Sequence, residues 1–235
     1  MTTPETSYLA LVGPTCVGKT AYSHALLAEF PLEVINVDSF QVFSFFRLGT
    51  GRADLQTDRD HLYGFQDPKI VLSADDYLTM VDDAIEDVAA NGRIPLFEGG
   101  SISYLKALMS RYRLQLVGLR PRDTEHAKEL IEKRLTAGSE ELLLAEIAEG
   151  LKRGYENTII LQDDVVYLPY VRYLAGKVSL KETRQRVMEN LLRRYETQMR
   201  EYENLPVGWF EPSAASLAAV RNIAARFVKQ FRGSS

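Results

Sequence analysis

Cysteine occurs once in this sequence of 235 residues, at position 16, so no internal disulfide can form. A chain without disulfides suits a reducing cytoplasm, the compartment expected here. Long apolar runs are missing too: none approaches the roughly 18 residues that span a bilayer, so no membrane association is expected. The opening stretch MTTPETSY has neither the basic region nor the apolar core of a secretory signal. Positive charge is not in excess. Lys and Arg total 28 against 32 Asp and Glu, a formal net charge of -4, which argues against a broad nucleic-acid-binding face while leaving room for a local basic patch. There is no internal repeat, no low-complexity tract and no Pro- or Gly-rich linker. What remains, with 46% hydrophobic and 26% charged residues, is the composition of an ordinary globular protein of one sizeable domain.

The first half alternates strand and helix signals. YLALV at 8–12 is a short apolar run ending at a glycine, which reads as a buried strand feeding a loop. Helical spacing follows from Thr20. EVINVD at 33–38 predicts a second buried strand ending on Asp38. After a polar stretch around 47–70, Ser73 with Asp76 forms a capping box, and the helix it opens runs to about Asn91 with Gly92 as its stop. RIPLFEGG at 93–100 and LQLVGL at 114–119 predict two more strands. This alternation means a parallel sheet with helices on both faces. From Pro121 onward helical patterns dominate, at roughly 122–136, 139–153, 163–175, 179–203 and 213–231. Ser179 with Glu182 is another capping box, and Ser213 a candidate N-cap. The expected fold class is α/β, a P-loop NTPase-like parallel sheet over residues 1–120 with an α-helical part over 121–235 of the same domain.

GPTCVGKT, at 13–20, carries the chemistry. Gly13, Gly18, Lys19 and Thr20 satisfy G-x-x-x-x-G-K-[ST] between a strand and a helix. Glycines let backbone amides converge on anionic oxygens, and the helix start adds its positive end. Lys19 adds a full charge, and the Thr20 hydroxyl can ligate Mg²⁺. Most owners of such a loop hydrolyse or transfer nucleotide phosphates and need a second acidic residue closing a later apolar strand. Asp38 and Glu98 are the candidates, and neither closes a clean run of four apolar residues. The arginines of 111–122 flank a strand and do not make the mobile lid of a nucleotide kinase.

Further motifs follow in order: DSFQVF from Asp38, LGTGR at 48–52, HLYGF at 61–65 and GRIPLFEGGSISYLKAL at 92–108. Together with GPTCVGKT, including its Pro14 and Thr15, this set resembles the isopentenyltransferase family. That family comprises tRNA dimethylallyltransferases and the adenylate dimethylallyltransferases that make cytokinins. The resemblance is specific from about Leu9 to Leu119 and continues more weakly to Arg200 through YLAGKVSLKE at 173–182. It implies that the loop, with Gly13, Cys16, Gly18, Lys19 and Thr20, holds the diphosphate of dimethylallyl diphosphate as a leaving group. It implies Asp38 as the general base that takes the N6 proton of adenine, Thr15 beside the reacting centre and Arg134 gripping the diphosphate. It implies acceptor-side roles for Ser39, Gln41, Thr50, Arg52, Ser101 and Asp164. Mg²⁺ would be the cofactor, with Thr20 as its ligand.

Departures from the family pattern are equally visible. Arg193, Arg194 and Arg200 in RRYETQMR resemble the tRNA type's K-R-Q-x-T-W-x-R, but Tyr195 and Gln198 replace its glutamine and tryptophan. The family's G-Y-R after Asp163 and Asp164 reads Val166, Tyr167, Leu168. Asp82, Asp83 and Asp87 resemble the aspartate-rich motif of chain-elongating synthases, yet that motif belongs to an all-α fold, so they read as the polar face of a helix. The helical insertion that the resemblance places after YLKALMSRYR in tRNA-modifying members is missing, as is a basic C-terminal extension. The expectation is therefore a monomeric enzyme moving a dimethylallyl group to N6 of a free adenine nucleotide (AMP, ADP or ATP), with tRNA unlikely as a partner. The alternatives are a tRNA dimethylallyltransferase with a reduced body and a P-loop kinase or nucleotide-binding module.

Overall fold

The computed structural model describes residues 7–52 and 58–233, so the first six residues of the stretch examined for a signal lie outside it. The chain runs β1 (Ser7–Val12), α1 (Lys19–Leu27), β2 (Leu32–Asn36), β3 (Asp60–His61), α2 (Ala74–Ala90), β4 (Ile94–Gly99), α3 (Ile102–Arg111), β5 (Arg113–Leu119), α4 (Thr124–Ala137), α5 (Glu140–Lys152), α6 (Tyr167–Leu174), α7 (Leu180–Tyr202), β6 (Gly208–Phe210) and α8 (Ala214–Gly233). The strands form one six-stranded sheet in the order β3-β2-β4-β1-β5-β6, and every pairing is parallel.

Period-two geometry divides each strand between two cores. Tyr8, Ala10 and Val12 of β1 face one cluster with Phe97, Leu105, Val187 and Leu191. Leu9 and Leu11 face the other with Leu26, Val117, Val220 and Phe227. A sheet covered on both faces needs both residue parities apolar, hence the continuous runs in the sequence. Helices α2, α3 and α7 contribute to the first cluster, and α1 and α8 to the second. The capping boxes at Ser73/Asp76 and Ser179/Glu182 are both formed.

Three differences from the sequence reading have local causes. β2 closes at Asn36, two residues before Asp38, although the Val37 amide still bonds to the Glu98 carbonyl (2.7 Å). The Asn36 side chain then takes over, accepting from the Asp38 amide and donating to the Asp38 and Leu62 carbonyls, each at 3.0 Å. α6 starts at Tyr167, not at 163, because the Asp163 carboxylate takes up the amides of Val165 and Val166 in a turn. β3 and β6, of two and three residues, are too short to carry a periodic signal. β6 nevertheless adds the C-terminal half to the sheet edge beside β5.

Candidate active site

The loop from Gly13 to Thr20 joins β1 to α1 at the carboxyl end of the central strand, where open α/β sheets place ligands. Its curvature demands unusual backbone. Cys16 has φ 67° and Gly18 φ 82°. At Gly13, φ 145°, a Cβ would lie 2.3 Å from the Leu119 carbonyl oxygen. The β4 exit approaches just as closely, since a Cβ on Gly99 would lie 2.2 Å from the Val37 carbonyl oxygen. This is why the glycine pair follows that strand.

Lys19 Nζ donates to the carbonyls of Gly13 (3.0 Å) and Pro14 (2.9 Å). Burial pulls its pKa below the ordinary lysine value, against the pull of Glu98 and Asp38. Glu98 is buried and accepts from three hydroxyls: Thr20 Oγ1 (3.0 Å), Ser23 Oγ (3.1 Å) and Tyr63 (3.0 Å). Burial raises its pKa even so, against Lys19 and those bonds. Each group favours its neutral form more than in water, because their mutual attraction does not recover the lost hydration. An entering anion would favour the charged form of Lys19.

Arg134 comes from α4 and meets the loop from the helical half. Its Nη1 donates to Thr15 Oγ1 (3.0 Å) and contacts Cys16 Sγ (3.3 Å), while Nη2 donates to the Gly49 carbonyl (3.1 Å). Asp38 accepts the amides of Phe40 (2.9 Å) and Gln41 (3.3 Å) on Oδ1. Its Oδ2 makes no hydrogen bond among the described residues. One oxygen is thus fixed by the turn and the other is available to a ligand.

A single cavity of about 1010 Å³ is lined by Thr15, Cys16, Gly18, Lys19, Thr20, Asp38, Gln41, Thr50, Arg52 and Arg134 together. Glu98, Gly100 and Gln198 line it too. Ser39, Ser101 and Asp164 do not line it. Asp164 is exposed and offers its backbone carbonyl to Asn190. Gln41 and Arg52 are engaged in holding the 41–52 loop: Gln41 Nε2 donates to the Thr50 carbonyl (3.4 Å), and Arg52 Nη1 to the carbonyls of Gln41 (3.3 Å) and Phe43 (2.6 Å). Asp82 lies outside the cavity, on the polar face of α2, paired with Arg111 and Tyr112.

Sequence reasoning missed the brace behind the loop. Gln198 Oε1 accepts the Thr15 amide (2.9 Å), and its Nε2 donates to the Gly100 carbonyl (3.0 Å). One turn on, the Tyr202 hydroxyl accepts the Gly13 amide (3.1 Å). The available signal was a glutamine sharing a helix face with Leu191, Tyr195 and Tyr202, all of them buried. A second brace joins Glu146 and Tyr167 to the 47–49 loop: the carboxylate accepts the Arg47 amide (2.8 Å), and the Tyr167 hydroxyl accepts the Gly49 amide (2.9 Å) while donating to Glu146 (2.8 Å).

Among the described residues no group of three or more His, Cys, Asp or Glu could cage a metal. Mg²⁺ does not need one. It commonly takes one or two protein ligands and completes its shell with phosphate oxygens and water. Thr20 fits that need, because its hydroxyl donates to Glu98 and so keeps its oxygen lone pairs for a cation. No helix of the described residues is long and apolar enough to cross a membrane.

The sequence model of the family described as isopentenyl transferase matches residues 6–160. A tRNA dimethylallyltransferase of Bordetella avium is 41% identical over 111 residues, 46% of this chain and 35% of that protein. One from Azoarcus is 36% identical over 154 residues, 63% of this chain and 47% of that protein. The chain thus spans less than half the length of the curated relatives it matches. Solved structures share its fold, two bacterial proteins among them. The tRNA isopentenylpyrophosphate transferase of Bacillus halodurans has a TM-score of 0.84 at 21% identity, covering 97% of this chain and 98% of its own. That of Staphylococcus epidermidis has 0.85 at 16%, covering 96% and 100%. These relatives overturn the expected affinity with the adenylate type and cytokinin synthesis, and with it the free adenine nucleotide as acceptor and the exclusion of tRNA. The charge argument misled because net charge sums the whole surface, whereas an RNA meets one face. Arg120, Arg122, Arg193 and Arg200 are all exposed. The matched motifs and the site they build lead to one conclusion: the chain belongs to the isopentenyl transferase family.

Proposed function

We propose that this chain transfers a dimethylallyl group from its diphosphate to the N6 amine of an adenine in tRNA. The observation that carries the reading is the shared cavity, in which a phosphate-binding loop and a carboxylate with one uncommitted oxygen face the same space. The reaction needs both. The amine attacks C1 of the allylic donor, the C1–O bond breaks, and diphosphate leaves with the electron pair. The loop amides, Lys19 and Arg134 stabilise the departing anion. Asp38 Oδ2 accepts the proton the amine loses. Thr20 would hold Mg²⁺ against the diphosphate, where the ion would neutralise leaving-group charge. The choice of tRNA is supported by the names of the curated relatives.

The test is to incubate the protein with Mg²⁺, dimethylallyl diphosphate and an anticodon stem-loop RNA carrying an unpaired adenosine, with ATP alone as a parallel acceptor. Mass spectrometry should show a five-carbon gain on the RNA. Phosphate release from ATP without any prenyl product would overturn the assignment in favour of a phosphotransferase.

A further inference from the structure

The cavity does not end where a five-carbon donor would. One face of α7 lines it lengthwise: Arg184, Val187, Met188, Leu191 and Gln198 all belong to its wall. At the α-helical rise, Gln198 beside the phosphate loop and Arg184 at the far end stand about 21 Å apart. Between them the α7 wall is apolar, while Glu132, Thr136 and Ser139 also line the cavity. Val187, Met188 and Leu191 are joined by Leu135 of α4, Leu143 of α5 and Val166 before α6. Polar groups stand at the far end, with Arg184 Nε on Glu140 Oε1 (3.1 Å) and the Tyr170 hydroxyl on the same oxygen (2.7 Å).

A dimethylallyl group is one carbon longer than a leucine side chain. The apolar stretch from Leu191 to the Arg184 end covers two helical turns, about 10.5 Å, so such a group leaves much of it unfilled. An adenine suits this stretch poorly, since Arg184, Glu140 and Tyr170 at its far end are already paired to one another. Asp38, Gln41 and Thr50, which can meet a base edge, line the cavity from the strand-exit loops.

We propose that the donor site accepts a longer allylic diphosphate, with a second isoprene unit lying along Val187, Met188 and Leu191. This rests on the reading of the site as a prenyl-transfer centre. The chemistry is unchanged: N6 bonds to C1, the C1–O bond breaks, diphosphate leaves and Asp38 takes the proton. The added carbons remove apolar surface from water without touching the reacting atoms.

The experiment is a competition. The intact chain, Mg²⁺ and the stem-loop RNA are given equal concentrations of dimethylallyl and geranyl diphosphate, and products are separated by mass. The ten-carbon product should form in about tenfold excess or more, a ratio of kcat/KM values expected for extra methylenes in an apolar pocket. Met188→Phe, which places a ring in the stretch at a half-buried position, should lower the ten-carbon to five-carbon product ratio about tenfold or more. If only the five-carbon group is transferred, the long-donor proposal fails while the prenyl-transfer reading stands; inhibition by geranyl diphosphate without transfer counts the same way. If neither group is transferred, both fail. The wild-type competition decides even if the variant does not fold.

Discussion

In the proposed reaction Asp38 removes the proton and Lys19 stabilises the leaving group, and variants of the two should separate these parts. Asp38→Ala should lower transfer by about 10²–10⁴-fold with donor KM nearly unchanged, since the carboxylate acts on the acceptor. Lys19→Ala should raise donor KM and lower kcat together, by about 10²-fold or more in kcat/KM. Steady-state kinetics with varied donor distinguish the two, and a lost donor affinity in Asp38→Ala would remove its role as base. Glu98 makes a prediction about stability. Its folded pKa lies above the ordinary 4.5 because of burial. The folded state therefore holds the proton at pH values where the unfolded chain has released it, and unfolding releases a proton. Its contribution is fully present below pH 4.5 and is lost as pH rises from there through the raised folded value. Urea titrations at a series of pH values should show the advantage of wild type over Glu98→Gln shrinking across that window. An advantage that grew with pH would contradict the assignment of burial as the dominant cause.

At the scale of elements, α7 governs the loop. Its far end carries Gln198 and Tyr202 onto the amides of Thr15 and Gly13, and its near end carries the capping box that starts it. Gln198→Ala strands the Thr15 amide and the Gly100 carbonyl. It should cost about 1–3 kcal/mol of stability and raise donor KM more than it lowers kcat. A loss of stability with unchanged KM would make the glutamine purely structural. The elements themselves were readable where length and caps supported them: α2 and α7 stand on Ser-x-x-Asp and Ser-x-x-Glu boxes, β1 is an apolar run ending at a glycine, and β4 is a short apolar run ending in Glu98 and a glycine pair. The brace was not readable, because Gln198 and Thr15 lie 183 positions apart. Nothing in the local pattern of RRYETQMR says which partner the glutamine meets.

For the whole molecule, the sheet and the helical half close on each other. Val187 and Leu191 complete the core that begins with Tyr8 and Phe97, while Val220 and Phe227 complete the opposite face. A fragment ending at residue 120 would leave part of each face open to water. It should fail to unfold cooperatively by heat or denaturant, whereas the full chain should show one transition by circular dichroism and by fluorescence. An independently cooperative fragment would show that the helical half is a separable unit. By itself the sequence determined the alternation of strand and helix, the phosphate loop and the resemblance to a prenyl-transferring family, because these rest on periodicity and on residues adjacent in the chain. Only the tertiary structure decided that Asp38, Lys19, Thr20 and Arg134 share one cavity, that Ser39, Ser101 and Asp164 stand apart from it, and that α7 both braces the loop and walls the cavity. Those relations depend on where strand exits and helix faces meet, a distance set by packing that no local spacing encodes.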